Sequence, residues 1–293
     1  MKKMMQRDST WAGIFLLPNL ICFLLFVLIP IVSAFVLSFM QWDMLSTPKF
    51  IGFDNYIRLF TQDEIFIQVL VNTLIFTACS VPMVIIASLL IAMALNQQIL
   101  GKKFYRVLIF LPVISSNVVV SVMWKWLLVP DYGFVNYFLS WFGIAGPNWL
   151  TDANWSMFSI IFVFVWKNIG YYMLIFLAGL QGIPNSYYEA VEMDGGNAWH
   201  KFRNITIPLL SPTTFFVTVM VVIGSFQVFD IVMLMTEGGP GRSTSVMVHY
   251  LYQQAFRYFD MGYATAISYI LFIIVLILTF LQFRFNKSEN WSS

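Results

Sequence analysis

The sequence predicts an all-α membrane protein of six transmembrane helices, with a structured polar loop between the fourth and the fifth. Three observations carry this. Six apolar stretches reach the length of about 20 residues that a helix needs to cross a bilayer. Only 10% of the 293 residues are charged, against about 25% in an ordinary soluble domain. Lys and Arg are also unevenly shared between alternate connections. With 59% hydrophobic residues and a mean hydropathy of +0.78, an ordinary globular enzyme is excluded. A net charge of only +2 gives no reason to expect nucleic acid as a partner.

The spans fall at about 12–40, 66–95, 105–129, 157–180, 207–234 and 263–283. The first follows Lys2 and Lys3 like a signal peptide, but its apolar run is too long for a cleavable one, so a retained helix is expected. Pro18, Pro30, Pro82 and Pro112 lie inside spans, where neighbouring helices re-satisfy the freed backbone groups. Cys22 and Cys79 both sit in apolar runs and read as small buried hydrophobes, not as a disulfide.

Orientation follows from the basic residues. Lys2, Lys3, Arg7, Lys102, Lys103, Arg106, Lys201, Arg203, Arg284 and Lys287 share one side, against Lys49, Arg58, Arg242 and Arg257 on the other. Both termini and the polar loop are therefore expected on the cytoplasmic side. The opposite loops are rich in carboxylates, with Trp42, Trp149 and Trp155 at the boundary. Their two longest segments, about 41–65 and 235–262, have room for short interfacial helices. No internal repeat or flexible linker divides the chain, so residues 1–293 read as one membrane domain.

The polar loop, 184–206, is the most informative segment. Pro184 suits a helix start, with the capping-type residues Asn185 and Ser186 beside it. Glu189 and Glu192 fall in an early turn, where the helix dipole favours negative charge. Gly195 and Gly196 stop that helix. A second helix restarts near Asn197, and Ala198, Phe202 and Ile205 make one apolar face. Pro208 and Pro212 bracket the entry to the fifth span. A merely solvated loop seldom combines a capped acidic helix, a double-glycine turn and an apolar stripe.

This segment resembles the cytoplasmic signature of binding-protein-dependent ABC importer permeases, which runs E-A-A-x-x-x-D-G-A, then Phe, Ile and Pro at fixed offsets. Glu189, Ala190, Asp194, Gly195, Phe202, Ile205 and Pro208 match, while Val191 and Gly196 stand where the pattern has alanines. Trp124-Lys125-Trp126-Leu127, Pro130-Asp131-Tyr132-Gly133, Asn136, Ala178-Gly179-Leu180-Gln181, Phe229-Asp230-Ile231, Thr236, Gly238-Gly239-Pro240 and Thr244 resemble carbohydrate-uptake permeases of the maltose and glycerol-3-phosphate type. The last set looks like the first of the two different permease subunits of such systems.

The resemblance implies a type I ABC importer permease, a transport subunit and not an enzyme. Its implied partners are a second permease, a cytoplasmic ATPase dimer, an extracytoplasmic solute-binding protein and a sugar. The loop 184–206 would dock on the ATPase. No phosphate-binding loop is present, since Gly101-Lys102-Lys103 lacks the glycine spacing and the hydroxyl residue. ATP and Mg are therefore expected on the partner ATPase, with no cofactor, metal or catalytic residue in this chain.

For a sugar pathway, Trp166, Asn168, Tyr171 and Tyr172 on the fourth span and Ser225, Gln227 and Asp230 on the fifth offer rings and polar groups. The resemblance raises Tyr171 and Ser225, because related transporters place solute mid-membrane on these two helices. Packing or lipid contact is the competing role for each. Lys125, Lys167 and Asp230 lie towards the outer ends of the expected spans, where snorkelling or a structural pair is expected. His200 and His249 have no ligand-spaced partner. A polyol or glycerophosphodiester is the alternative solute. An ion-coupled secondary transporter is the alternative of another class, but it would want mid-membrane carboxylates and repeated halves. A membrane-embedded enzyme would need a clustered catalytic set, and none is visible.

Overall fold

A computed structural model describes the backbone of residues 2–286 and the side chains of residues 11–284. The side chains of Lys2, Lys3 and Arg7, and all of Lys287, lie outside the described residues. In chain order the helices are α1 (Lys2–Phe23), α2 (Ile29–Leu37), α3 (Asp54–Thr61), α4 (Glu64–Asn96), α5 (Lys102–Ile114), α6 (Asn117–Leu127), α7 (Phe134–Ser140), α8 (Ala153–Gln181), α9 (Asn185–Met193), α10 (Ala198–Lys201), α11 (Ile207–Leu209), α12 (Ser211–Phe226), α13 (Asp230–Met235), α14 (Met247–Tyr252) and α15 (Met261–Asn286). A π-helical turn at Leu24–Leu28 joins α1 to α2, and another at Phe202–Thr206 joins α10 to α11. The strands β1 (Met40–Gln41) and β2 (Lys49–Phe50) pair antiparallel.

Among the described residues four helices are long and apolar enough to cross a membrane: Trp11–Leu37, Glu64–Asn96, Ala153–Gln181 and Met261–Arg284. Two bent pairs bring the number to as many as six when each pair is counted as one span. The expected span 105–129 is in fact α5 and α6, bent by 100°. Ser115 and Ser116 take extended backbone there, and the Ser116 hydroxyl accepts the Val118 N–H to start α6 afresh. The expected span 207–234 is also divided. Ala198–Leu209 and Ser211–Phe226 bend by 65° at Leu210, between Pro208 and Pro212, and the helix ends at Phe226. Proline removes a ladder N–H and crowds the preceding turn, which favours a bend here.

The chain forms two compact units. The first comprises residues 1–63 and 251–270. Its span Trp11–Leu37 is exposed over almost its whole length, with Phe15 and Phe26 outermost, as lipid-facing side chains are. Buried Asn55 donates to the Ser38 and Met40 carbonyls at 2.9 and 3.0 Å, satisfying backbone left open where α2 ends. Arg58 bonds Asp260 at 2.8 Å and lies 4.1 Å from the centre of the Tyr263 ring, while the Tyr263 hydroxyl donates to Asp63. Gly262 passes so close to the Met40 carbonyl that a β-carbon would overlap it. Asp43 turns the 43–46 loop by accepting from the Leu45 and Ser46 N–H groups and the Ser46 hydroxyl. Those bonds lower its pKa to about 2.

The second unit comprises residues 64–250 and 271–293. Its core lies between α4, α8, α12 and α13, around Phe76, Ile160, Met173, Phe176, Val221 and Phe226. Two glycines let helices approach. A β-carbon at Gly170 would overlap the Ile109 carbonyl of α5, and one at Gly179 would meet the Thr213 hydroxyl of α12 at 2.8 Å. Several motif residues prove to be loop staples. Asn136 accepts the Trp149 indole N–H at 2.6 Å and donates to the Pro130 carbonyl at 3.1 Å. Thr244 shares a 2.8 Å hydrogen bond with Thr236 and donates to the Gly239 carbonyl at 2.7 Å.

Candidate functional site: the polar loop and the mid-helix polar groups

The loop folds as helix, tight turn, helix. Helix α9 begins at Asn185, with Pro184 in the capping position and no side-chain cap. This differs from the expected role of Asn185 and Ser186, which lie inside the first turn. At its end the Gly195 N–H bonds the Glu192 carbonyl at 3.0 Å, and the Gly196 N–H bonds the Val191 carbonyl at 2.8 Å. Gly195 has φ +77, so the pair closes the helix as a Schellman motif. Asn197 then caps α10, its side chain accepting the His200 N–H at 3.1 Å while the His200 ring faces the Asn197 N–H.

Three features tie the two helices. Lys201 pairs with Glu192. The Tyr188 hydroxyl and the Thr206 hydroxyl share a hydrogen bond at 3.1 Å. Tyr188 and Ile205 pack against the core of the second unit, and Phe202 is half-buried. The other face is open. Glu189, Ala190, Asp194, Gly195 and Pro208 are exposed, as are Met193 at 88% and Trp199 at 60%. An exposed Met and Trp amid carboxylates is a surface suited to a protein partner. Sequence reasoning missed the Tyr188–Thr206 and Glu192–Lys201 links. The N-x-x-H spacing of Asn197 and His200 was the readable sign of the second cap.

The mid-helix polar groups divide into two sets. Ser225 is fully buried, its hydroxyl satisfied by Thr77 at 3.0 Å and the Val222 carbonyl at 2.8 Å. Tyr172 is buried, and Trp166 packs edge-on against Trp124. Asn168 donates to the Phe164 carbonyl of its own helix at 2.8 Å. Tyr171 and Gln227 are exposed, and Asp230 is half-buried, held by the Asn117 amide at 2.8 Å. Lys167 does not snorkel. It stands fourteen residues from either end of α8 and donates to the Ser115 carbonyl at 3.0 Å. Lys125 is exposed near the end of α6. His249 is buried and within 3.2 Å of the Ser245 hydroxyl.

The family model described as "Binding-protein-dependent transport system inner membrane component" matches residues 64–288. The chain belongs to this family. It is therefore a multi-pass membrane permease, a transport subunit. It is 36% identical to the probable ABC transporter permease protein YurN of Bacillus subtilis (strain 168), across 97% of this chain and 99% of that one. It is 39% identical to the lactose transport system permease protein LacF of Rhizobium radiobacter, across 92% of each. Its fold matches a chain of a bacterial ABC transporter involved in import of the acidic polysaccharide alginate, with TM-score 0.85, 26% identity and 98% coverage of both. The same fold occurs in an alginate transporter in complex with alginate pentasaccharide-bound periplasmic protein, with TM-score 0.84, 26% identity and coverage of 96% and 95%.

Proposed function

We propose that this permease forms half of the translocation pathway of an ATP-driven importer for a sugar or oligosaccharide. The carrying observation is the polar loop, a pair of helices rigidly closed on one face and exposed on the other. A cytoplasmic ATPase dimer, holding ATP and Mg, would grip the exposed face through Met193, Trp199, Glu189 and Asp194. Because Tyr188 and Ile205 are rooted in the core, the gripped loop cannot move alone. Its displacement passes to α8 and α12, which meet at Gly179 and Thr213. Tilting these helices would switch access between the two sides of the membrane.

The asymmetry of Lys and Arg supports both termini and this loop on the ATPase side of a bacterial cytoplasmic membrane. A second, different permease would complete the pathway, and a solute-binding protein would dock on the opposite loops. The sugar assignment draws support from the lactose-transport relative, from the alginate transporter of the same fold, and from the exposed polar side chains of Tyr171 on α8 and Gln227 at the end of α12.

Uptake of labelled sugars, polyols and glycerophosphodiesters by cells with and without this gene tests the reading. Loss of ATP-dependent uptake of one saccharide is expected. Loss confined to a polyol or glycerophosphodiester would replace the sugar assignment, and dependence on an ion gradient would overturn ATP coupling.

A further inference from the structure

A lysine at the centre of a membrane-spanning helix is costly and is retained for a use. Lys167 is such a residue. At about 1.5 Å per residue it lies about 21 Å from either end of α8, beyond the reach of a four-carbon stem. Its ammonium turns instead to the bend between α5 and α6, where the Ser115 carbonyl accepts one of its three N–H groups at 3.0 Å. On the other side of the bend, Asn117 opens α6 and donates to Asp230, the first residue of α13, at 2.8 Å. Two helix interruptions, 115–116 and 227–229, thus meet around one cation and one carboxylate.

Among the described residues Lys167 and Asp230 form no direct ion pair; they are linked through Ser115 and Asn117, two residues apart at the bend. Both keep hydrogen-bonding capacity in reserve. Among the described residues Lys167 commits one of its three N–H groups, Asp230 one of its two carboxylate oxygens, and the Asn117 side chain only its amide N–H. Two donors and two acceptors match a pair of adjacent hydroxyls, each of which donates and accepts. Their formal charges sum to zero, so an uncharged ring is accommodated without an unbalanced charge.

We propose that Lys167, Asp230 and Asn117 form a charge-balanced subsite that binds a neutral polyhydroxylated ring and discriminates against uronates. This rests on the saccharide reading above and narrows its substrate class.

The test is direct binding to the purified complex of this permease with its companion permease and ATPase. The solute-binding protein is omitted so that its own selectivity does not intervene. Lactose, maltotriose and a mannuronate trisaccharide are the probes, followed by saturation-transfer NMR. The readout is the ratio of neutral to uronate affinity, which does not depend on the amount of folded protein. The unaltered complex is expected to favour a neutral probe. Asp230→Asn leaves a net positive subsite and should move the ratio towards uronate by about tenfold or more. Lys167→Gln and Asn117→Asp each leave a net negative subsite and should move it the other way. The pair of opposite-sign variants keeps the test decisive if one variant fails to assemble.

An unchanged ratio in the assembled variants overturns the proposal, as does a preference of the unaltered complex for mannuronate. In both cases the saccharide reading stands. If the complete importer takes up no saccharide and carries another class of solute, the saccharide reading itself fails.

Discussion

The Cγ1 atom of Val191 occupies the space that a β-carbon on residue 196 would need. The loop departs from the alanine-rich pattern it resembles at these two positions, and the departures compensate each other: a larger side chain at 191 faces a missing one at 196. Gly196→Ala alone should therefore loosen the end of α9 and reduce uptake several-fold. Adding Val191→Ala should restore much of the loss, though the Val191 carbonyl, 2.8 Å from the new β-carbon, limits the rescue. Uptake in a double-mutant cycle measures this, and additive losses would contradict it.

The Tyr188–Thr206 hydrogen bond ties the first loop helix to the segment entering the fifth span. Such a bond contributes about 1 kcal/mol. Tyr188→Phe should leave the permease assembled with its ATPase but raise the ATP hydrolysed per solute moved by a few-fold. Simultaneous measurement of hydrolysis and uptake in proteoliposomes tests this. Equal losses of both would indicate simple unfolding instead.

Gly170 allows α8 to lie against α5, where a β-carbon would overlap the Ile109 carbonyl and approach the Phe110 α-carbon at 3.0 Å. Backbone cannot yield as a side-chain tip does. Gly170→Ala should cost about 1–3 kcal/mol, and Gly170→Leu should abolish assembly. Thermal unfolding in detergent gives the measurement, with Gly224→Ala, which has open space around it, as the matched control.

Asp43 gives a pH dependence of definite sign. Its carboxylate is stabilised by three hydrogen bonds, and its folded pKa lies below the ordinary carboxylate value, at about 2. The contribution is therefore fully present above the ordinary value of about 3.9 and is lost as pH falls towards about 2. The 43–46 turn should stay closed from neutral pH to about 4. Trp42, whose indole N–H donates to the Ser46 carbonyl at 2.9 Å, reports opening through the fluorescence lost in a Trp42→Phe control. Asp43→Ala should show the open signal at every pH.

What was legible in the sequence was what is local or periodic. The apolar runs located four unbroken membrane helices and the two bent pairs, because hydropathy needs no tertiary information. Gly195 and Gly196 announced the turn and the restart near Asn197 was legible, because a left-handed residue acts locally; that Asn197 caps the second helix is established only by the structure. The interruption at Ser115–Ser116 was not legible, since two small polar residues scarcely lower the hydropathy of their window. The same limit hid Lys167: only its bond to Ser115 shows that it turns inward. Ser225 looked available for solute because its partner, Thr77, lies on α4, far away in sequence.

The bond between Arg58 and Asp260 joins positions 202 residues apart. A ribosome adding about 5–20 residues per second needs roughly 10–40 s to supply the second partner after the first. During that interval Trp11–Leu37 and α3 are in place without the segment 251–270 that completes their unit. Biogenesis therefore has a defined vulnerable window, in which Arg58 and the backbone at the Met40 carbonyl, packed so closely that residue 262 has no room for a β-carbon, await residues made near the end of synthesis. Degradation of stalled chains should fall sharply once translation passes about residue 270 and the exit tunnel has cleared it.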